Sequence, residues 1–201
     1  MKVNKIYPVG FASNSFAITA DNKNCILIDC AQERVYDKCI SLGLTPKAVL
    51  LTHAHLDHIG GCGVLYSNGA DIYCGEREKE LIYSEGYRQI FYGEPIPEFR
   101  IKSTFSDGEE VELYGLKIKV IATPGHTAGG VSYLIEDCLF TGDTLFFESI
   151  GRSDFYTGNT RELYASIKKL YSLDGDYKVY TGHGEDTTLS HERTFNPYVR
   201  V

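Results

Sequence analysis

Four apolar segments of this chain end in threonine, and histidine or aspartate follows each threonine within three residues. They are Val49-Leu50-Leu51-Thr52-His53, Val120-Ile121-Ala122-Thr123-Pro124-Gly125-His126, Leu139-Phe140-Thr141-Gly142-Asp143 and Val179-Tyr180-Thr181-Gly182-His183. In α/β folds, polar side chains just past strand ends collect at one edge of the sheet, where sites form. Glycine in three of the four turns lets the backbone bend sharply there. The pattern predicts that His53, His126, Asp143 and His183 converge.

The densest cluster of metal-binding residue types is His53-Ala54-His55-Leu56-Asp57-His58. Histidines at i and i+2 of a turn can direct both imidazoles to one metal, while Asp57 and His58 face a second point. Zinc and similar ions accept imidazole nitrogen and carboxylate oxygen. With the three residues from the other segments there are seven candidate ligands, enough for two sites of three that share one carboxylate. The alternative is a set of unrelated histidines, which is the better interpretation only for His191, in a short exposed helix.

Composition limits the class of protein. The 201 residues carry a net charge of −7 and no basic run, so nucleic acid is not an expected partner. The apolar stretches are strand-sized, which argues against a membrane span, and the first residues lack the apolar core of a signal peptide. We therefore expect a cytoplasmic protein with one domain over residues 1–201. Its six cysteines include no C-x-x-C pair and are expected to be reduced thiols without a metal.

Hydrophobic periodicity predicts an α/β fold with antiparallel and mixed sheet. Strands are expected over 3–9, 15–20, 24–29, 48–51, 71–74, 109–113, 116–122, 131–136, 138–141 and 178–180. Helices are expected over 33–42, from near residue 58, over 76–83, after the N-cap Asn159, and over 190–195. Residues 84–106 are the least regular segment and rich in aromatics, so they are either a substrate lid or a surface loop anchored by its own rings.

Four motifs resemble the metallo-β-lactamase-fold hydrolase superfamily and occur in that family's order. They read T-H-A-H-L-D-H at 52–58, P-G-H-T at 124–127, T-G-D-T-L-F at 141–146 and T-G-H-G at 181–184. The resemblance implies an αββα sandwich, in which two mixed β-sheets are flanked by helices. It implies two divalent metal ions at one edge of the sheets, zinc first, with iron and manganese as alternatives. The implied ligands are His53, His55 and His126 for one metal, Asp57, His58 and His183 for the other, and Asp143 as the bridge.

Within the superfamily, the chain resembles the small glyoxalase II-like (hydroxyacylglutathione hydrolase-like) branch and its persulfide dioxygenase relatives. The similar segments are Ile150-Gly151-Arg152-Ser153-Asp154-Phe155 and Gly182-His183-Gly184-Glu185-Asp186-Thr187-Thr188. Arg152 matches a basic residue that contacts glutathione in glyoxalase II; alternatively it pairs with Asp154 and holds the loop. β-Lactam hydrolysis is not expected, because true β-lactamases of this fold lack the bridging aspartate and are exported. The C-terminal glutathione-binding helical domain of glyoxalase II is also not expected, which leaves other thiol carriers open.

The implied activity is hydrolysis of a small anionic thioester, S-acyl-glutathione or a similar acyl thiol, by a hydroxide that bridges the two metals. Asp57 is expected to orient the nucleophile as well as ligate, and Asp143 to hold both metals. Thr52, Thr123, Thr127 and Thr141 either donate hydrogen bonds that orient ligands or are simply strand-end turn residues. One alternative is a mononuclear iron persulfide dioxygenase of the same fold that uses His53, His126 and Asp143. Another is a non-catalytic metal-binding module.

Overall fold

The first sheet is built from the N-terminal half of the chain. The computed structural model describes residues 1–84 and 98–200. The six strands are β1 (Lys2–Ile6), β2 (Ser15–Thr19), β3 (Asn24–Ile28), β4 (Thr45–Leu50), β5 (Asp71–Gly75) and β6 (Ile101–Phe105), in that spatial order. β1 to β3 pair antiparallel, and β3 to β6 pair parallel. Because β3 and β4 run in the same direction, the residues that follow them lie at one edge.

The second sheet also has six strands, in the order β14-β13-β10-β9-β8-β7. They are β7 (Glu110–Leu113), β8 (Leu116–Ala122), β9 (Val131–Ile135), β10 (Cys138–Gly142), β13 (Lys178–Thr181) and β14 (Thr187–Thr188). β10 and β13 are parallel, while the other pairs are antiparallel. A separate hairpin joins β11 (Leu145–Phe146) to β12 (Ser149–Ile150). Asp143 and His183 therefore follow two neighbouring parallel strands.

Three hydrophobic clusters show how the layers stack. Side chains such as Phe16, Leu50 and Phe140 fill the space between the two sheets. The other face of the first sheet packs on α1 (Arg34–Ser41), α2 (Leu56–Ile59), α3 (Cys62–Ser67) and α4 (Glu76–Tyr83). The other face of the second sheet packs on α5 (Thr160–Tyr171) and α6 (Leu189–Phe195). The predicted αββα sandwich of two mixed sheets is confirmed.

Helix α5 forms for the reasons visible in the sequence. The Asn159 side chain accepts a hydrogen bond from the Glu162 backbone N–H at 3.1 Å, so it caps the first turn as predicted. Leu163, Ile167 and Leu170 are fully buried on one face, which is the stripe expected of a helix that packs on a sheet.

Several predicted boundaries were wrong. β1 ends at Ile6 rather than at residue 9, because Pro8 lacks a backbone N–H and Gly10 turns the chain at φ +72°. Two short helices, α2 and α3, lie within residues 56–67, where one helix from near residue 58 was expected. β6 lies inside the segment expected to be irregular, 84–106. The rest of the lid-or-loop prediction concerns 85–97, which lie outside the described residues.

All six cysteines are buried and free of disulfide bonds. Five of them belong to the core between the first sheet and its helices, and Cys138 lies between the sheets. Cysteine behaves there as a small apolar residue. Within the described residues, no helix has both the length and the apolar composition needed to cross a membrane.

Candidate metal centre

The seven predicted ligands meet at one end of the sandwich. Each follows a strand: His53, His55, Asp57 and His58 come after β4, His126 after β8, Asp143 after β10 and His183 after β13. The two sheets thus deliver their polar residues to the same edge. These residues form three overlapping sets in which the ligand atoms lie within 4.8 Å of one another. The first group is His53, His55 and His126, the second group is Asp57, His58 and His183, and a set of His53, His58 and Asp143 links the two. The fold thus brings together the residues that the strand-end pattern predicts to converge.

Three imidazoles form the first group. Nδ1 of His55 lies 3.0 Å from Nε2 of His53 and 2.8 Å from Nε2 of His126. All three side chains are buried. Burial and the neighbouring imidazoles lower the pKa of His53 well below its usual range, and burial together with His126 lowers the pKa of His55 to about 3. The neutral imidazole that results is the form that binds a metal.

The second group faces solvent on one side. Nε2 of His183 lies 3.1 Å from Oδ2 of Asp57, and Nε2 of His58 lies 3.9 Å from the same oxygen. His58 is fully buried, whereas the side chains of Asp57 and His183 are 39% and 35% exposed. The second group is therefore the more solvent-exposed half of the centre.

Asp143 lies between the two groups. Its Oδ1 is 3.3 Å from Nε2 of His58, and its Oδ2 is 3.5 Å from Nε2 of both His126 and His183. Burial opposes ionisation of this carboxyl, but the imidazoles around it lower its pKa below the usual range. An ionised carboxylate that contacts residues of both groups is placed to be a ligand that two metal ions would share.

Two buried atoms indicate that a cation fits this centre. Among the described residues, three buried side-chain atoms have no hydrogen-bond partner: Ser13 Oγ, and Nε2 of His58 and Oδ1 of Asp143, which lie 3.3 Å apart without forming a hydrogen bond. Such atoms are costly unless something satisfies them, and a metal ion that accepts electron pairs from the His58 and Asp143 atoms would do so for that pair. Gly182 keeps the space open, because a Cβ there would overlap Oδ1 of Asp143 and lie 2.9 Å from Cε1 of His58. The donor set and its spacing therefore fit divalent metal ions.

Three outward hydrogen bonds fix which nitrogen of each ring faces the centre. Nδ1 of His53 donates to Thr52 Oγ1 at 3.1 Å, and the threonine hydroxyl donates to Oδ2 of Asp29 at 2.7 Å. Nδ1 of His58 donates to the same Asp29 oxygen at 2.7 Å. Nδ1 of His126 donates to the backbone carbonyl of Arg152 at 2.7 Å. Each ring thus turns the lone pair of Nε2 inward, as metal-binding histidines do.

A buried carboxylate joins the two loops that carry the first group. Oε1 of Glu78 accepts a hydrogen bond from the Ala54 N–H at 2.7 Å. Oε2 accepts from Thr127 Oγ1 at 2.9 Å and from the Gly129 N–H at 3.1 Å. Burial raises the pKa of Glu78 to about 7 although these three donors oppose the shift. One side chain of α4 therefore holds the 52–58 loop against the 124–130 loop.

The comparisons with known proteins agree with this geometry. The family model of the Metallo-beta-lactamase superfamily matches residues 8–183. The chain belongs to the metallo-beta-lactamase superfamily. Together with the clustered ligands, this membership places it among the metal-binding hydrolases of that superfamily.

Relatives in the superfamily align with nearly the whole chain. Hydroxyacylglutathione hydrolase GloC of Haemophilus influenzae is 36% identical, over 97% of both chains. Among solved structures, BLEG-1 B3 metallo-beta-lactamase has a TM-score of 0.90 at 31% identity, over 98% of this chain and 99% of that one. ETHE1 from Myxococcus xanthus has a TM-score of 0.83 at 28% identity, over 99% and 84%. TTHA1623 in a di-iron-bound form has a TM-score of 0.83 at 29% identity, over 99% and 100%.

The remaining predicted residues lie around the centre in different roles. Arg152 is exposed and pairs with Asp154 through two hydrogen bonds of 2.8 and 2.9 Å, yet it also lines the cleft above the centre. Both interpretations of Arg152 thus have a structural basis. His191 lies outside the three sets and contacts Glu148 at 3.0 Å. Thr52 contacts the candidate ligand His53 directly, whereas Thr141, near the end of β10, donates to the Leu145 carbonyl.

Two residues that support the candidate metal centre, Asp29 and Glu78, were not predicted from the sequence. Asp29 follows the apolar strand β3 just as the ligands follow theirs, so the same strand-end pattern could have identified it. Glu78 carries no such signal, because it lies on a charged helix, Glu76–Tyr83, among other acidic and basic residues.

Proposed function

We propose that this chain hydrolyses small anionic acyl thioesters with two divalent metal ions. His53, His55 and His126 would hold one ion, Asp57, His58 and His183 the other, and Asp143 both. The observation that carries the proposal is the position of Asp143, whose two oxygens lie 3.3 to 3.5 Å from imidazoles of both groups. A structural metal site is usually a closed shell of four ligands, whereas this centre is open to a cleft on one side. The arrangement supports catalysis more than a purely structural role.

The two ions would supply a water of lowered pKa and positive charge opposite the developing oxyanion. Asp57 is the one carboxylate of the centre that is well exposed, and its Oδ2 is already directed by His183 at 3.1 Å. It is therefore placed to hold a proton of the attacking water and to orient it. A thiolate leaves readily because its conjugate thiol has a pKa of about 8.5. The site therefore needs no general acid for the leaving group.

The similarity to hydroxyacylglutathione hydrolase GloC supports a thioester as the substrate class. The experiment is metal analysis of the purified protein together with a panel of acyl thioesters that includes S-lactoylglutathione. About two ions per chain with turnover of a thioester would agree with the proposal. Bound metal with no turnover of any thioester would instead support the non-catalytic module. A β-lactam belongs in the panel as well, since the structure named BLEG-1 B3 metallo-beta-lactamase is so similar.

A second candidate is an iron-dependent persulfide dioxygenase. It is favoured by the structural similarity to ETHE1 from Myxococcus xanthus and to a di-iron-bound protein, and by the contact of His126 with Asp143 at 3.5 Å. Two histidines and one carboxylate with open positions suit non-haem iron. Anaerobic purification followed by an oxygen-uptake assay on glutathione persulfide separates the two functions. One iron per chain with rapid oxygen uptake would overturn the hydrolase proposal.

A further inference from the structure

A cleft of about 910 Å³ opens over the metal centre, and most of its wall is apolar. Its floor includes His55, Asp57 and His183. The apolar side chains around this floor are those of Val9, Phe11, Leu56, Phe146, Ile150 and Phe155. Clefts of this size hold ligands much larger than a two-carbon acyl group, and apolar lining is what gives such clefts affinity.

Two aromatic rings contact different histidines of the centre. The Phe155 ring meets His55 edge-on at a centroid distance of 5.2 Å and His126 at 5.9 Å. The Phe146 ring meets His183 edge-on at 6.2 Å. A group bound at the centre is thus flanked by apolar surface beside the first histidine group and beside the second.

Residues 7–14 form a loop at the rim of the cleft. Hydrogen bonds anchor this loop on both sides of Phe11. The Gln32 side-chain amide forms two hydrogen bonds with the Val9 backbone, at 3.0 and 3.1 Å. On the other side, the Ser13 N–H donates to the Asp57 carbonyl at 3.1 Å. Between these anchors Phe11 is 100% exposed although it borders the cleft. An apolar ring held at the mouth of a site gains free energy only when a ligand covers it.

Charges within the described part of the lining are few. Arg152 is the one side chain there that is always positive, and Asp154 already neutralises it. Glu33 adds a negative charge at the rim. Away from the metal centre, the cleft therefore offers an incoming acyl chain much apolar surface and few charged side chains.

We infer that the cleft selects its substrate by an extended apolar acyl group, aliphatic or aromatic, which lies along Phe146, Phe155 and Phe11 while the reacting carbonyl sits at the metal centre. This inference rests on the proposed thioester hydrolysis and adds the class of acyl group. Burial of a methylene group contributes about 0.8 kcal/mol in full, which is a factor of about four in affinity. Affinity should therefore rise with each methylene that the cleft covers.

The first experiment uses the metal-loaded full chain and one thiol carrier with acyl groups from acetyl to octanoyl. We expect kcat/KM to increase about two- to fourfold per methylene. A value that is flat or falls with length overturns the inference but leaves thioester hydrolysis standing. If no member of the series is hydrolysed, the proposed function fails. A binding measurement then tests the inference about the acyl group without requiring turnover.

That measurement uses S-alkyl N-acetylcysteamine thioethers from ethyl to octyl, which cannot be hydrolysed and are uncharged. Calorimetric titration should show the same increase in affinity per methylene. Phe11→Ala should reduce the affinity for the octyl compound about three- to tenfold. Phe195→Ala is the matched control, because Phe195 is also exposed but lies on α6 outside the cleft. Equal affinities for the ethyl and octyl compounds, or equal effects of the two variants, overturn the inference.

Discussion

Oδ2 of Asp29 lies 2.7 Å from Nδ1 of His58, and Oδ1 of Asp29 accepts the Thr52 N–H at the same distance. One buried carboxylate therefore orients a candidate metal ligand and fixes the start of the loop that carries three others. Burial opposes a charge on His58, but Asp143 and Asp29 together raise its pKa well above the usual range. The ring is surrounded by negative charge on both sides, which is an environment suited to a cation.

Asp29→Asn should weaken metal binding about 10- to 100-fold, because the carboxylate accepts from the Thr52 N–H with Oδ1 and from His58 with Oδ2, whereas an amide has one accepting oxygen. The measurement is metal affinity by competition with a chelator. Asp137→Asn serves as the control, since Asp137 is exposed and far from the centre. If both variants bind metal as the unchanged protein does, Asp29 has no part in orienting His58.

Asp143→Ala should lower the metal content from about two ions per chain to about one or fewer and nearly abolish turnover. The reason is that Asp143 is the one residue in the described part of the chain whose oxygens contact His58, His126 and His183. Metal analysis and the thioester assay check the two effects separately. Unchanged metal content would refute the proposed bridging role.

The candidate ligands could be located from the sequence because each lies in a segment that follows a strand, and polar residues past strand ends collect at one edge of a sheet. The same reasoning applied to β3 would have added Asp29. It could not add Glu78, whose partners are the backbone N–H groups of Ala54 and Gly129. Contacts of a side chain with distant backbone leave no pattern of residue types in the sequence.

The errors in the fold have physical causes of the same kind. The strand β6 reads Ile101-Lys102-Ser103-Thr104-Phe105, so three polar residues interrupt its apolar pattern. Among the described strands it lies at one edge of its sheet, where such polarity is tolerated. Conversely, Val9 looked like a continuation of β1, but it is held in a loop by the Gln32 side chain. Pairing partners, rather than local composition, decide both cases.

Glu78 predicts a pH dependence of stability. Its pKa is raised from 4.5 to about 7 in the folded protein. Its contribution to folding is therefore fully present below pH 4.5 and is lost as the pH rises through 7, by about 3 kcal/mol in all. Glu78→Gln does not titrate. Between pH 4.5 and pH 8, the unfolding free energy of the unchanged protein should therefore fall by about 3 kcal/mol relative to that of Glu78→Gln.

Urea unfolding of both proteins in the presence of a chelator checks this, because the histidines titrate in both and cancel in the difference. Glu78→Gln should also lower stability by about 1–3 kcal/mol at pH 5, since its NH₂ group faces a backbone donor. A difference that stays constant with pH would mean that Glu78 is ionised throughout this range.

Arg152 and Asp154 allow the two interpretations of Arg152 to be separated. Their side chains are 66% and 69% exposed, so solvent screens the ion pair and its loss should change stability little. If Arg152 contacts an anionic substrate, Arg152→Ala should raise KM about three- to tenfold with little change in kcat. Asp154→Asn should then lower KM, because it leaves the guanidinium free to pair with the substrate. If Arg152 only holds the loop, both variants break the same contact and KM should shift in the same direction. Steady-state kinetics of the two variants on one anionic thioester, at low and high salt, distinguish opposite from parallel shifts.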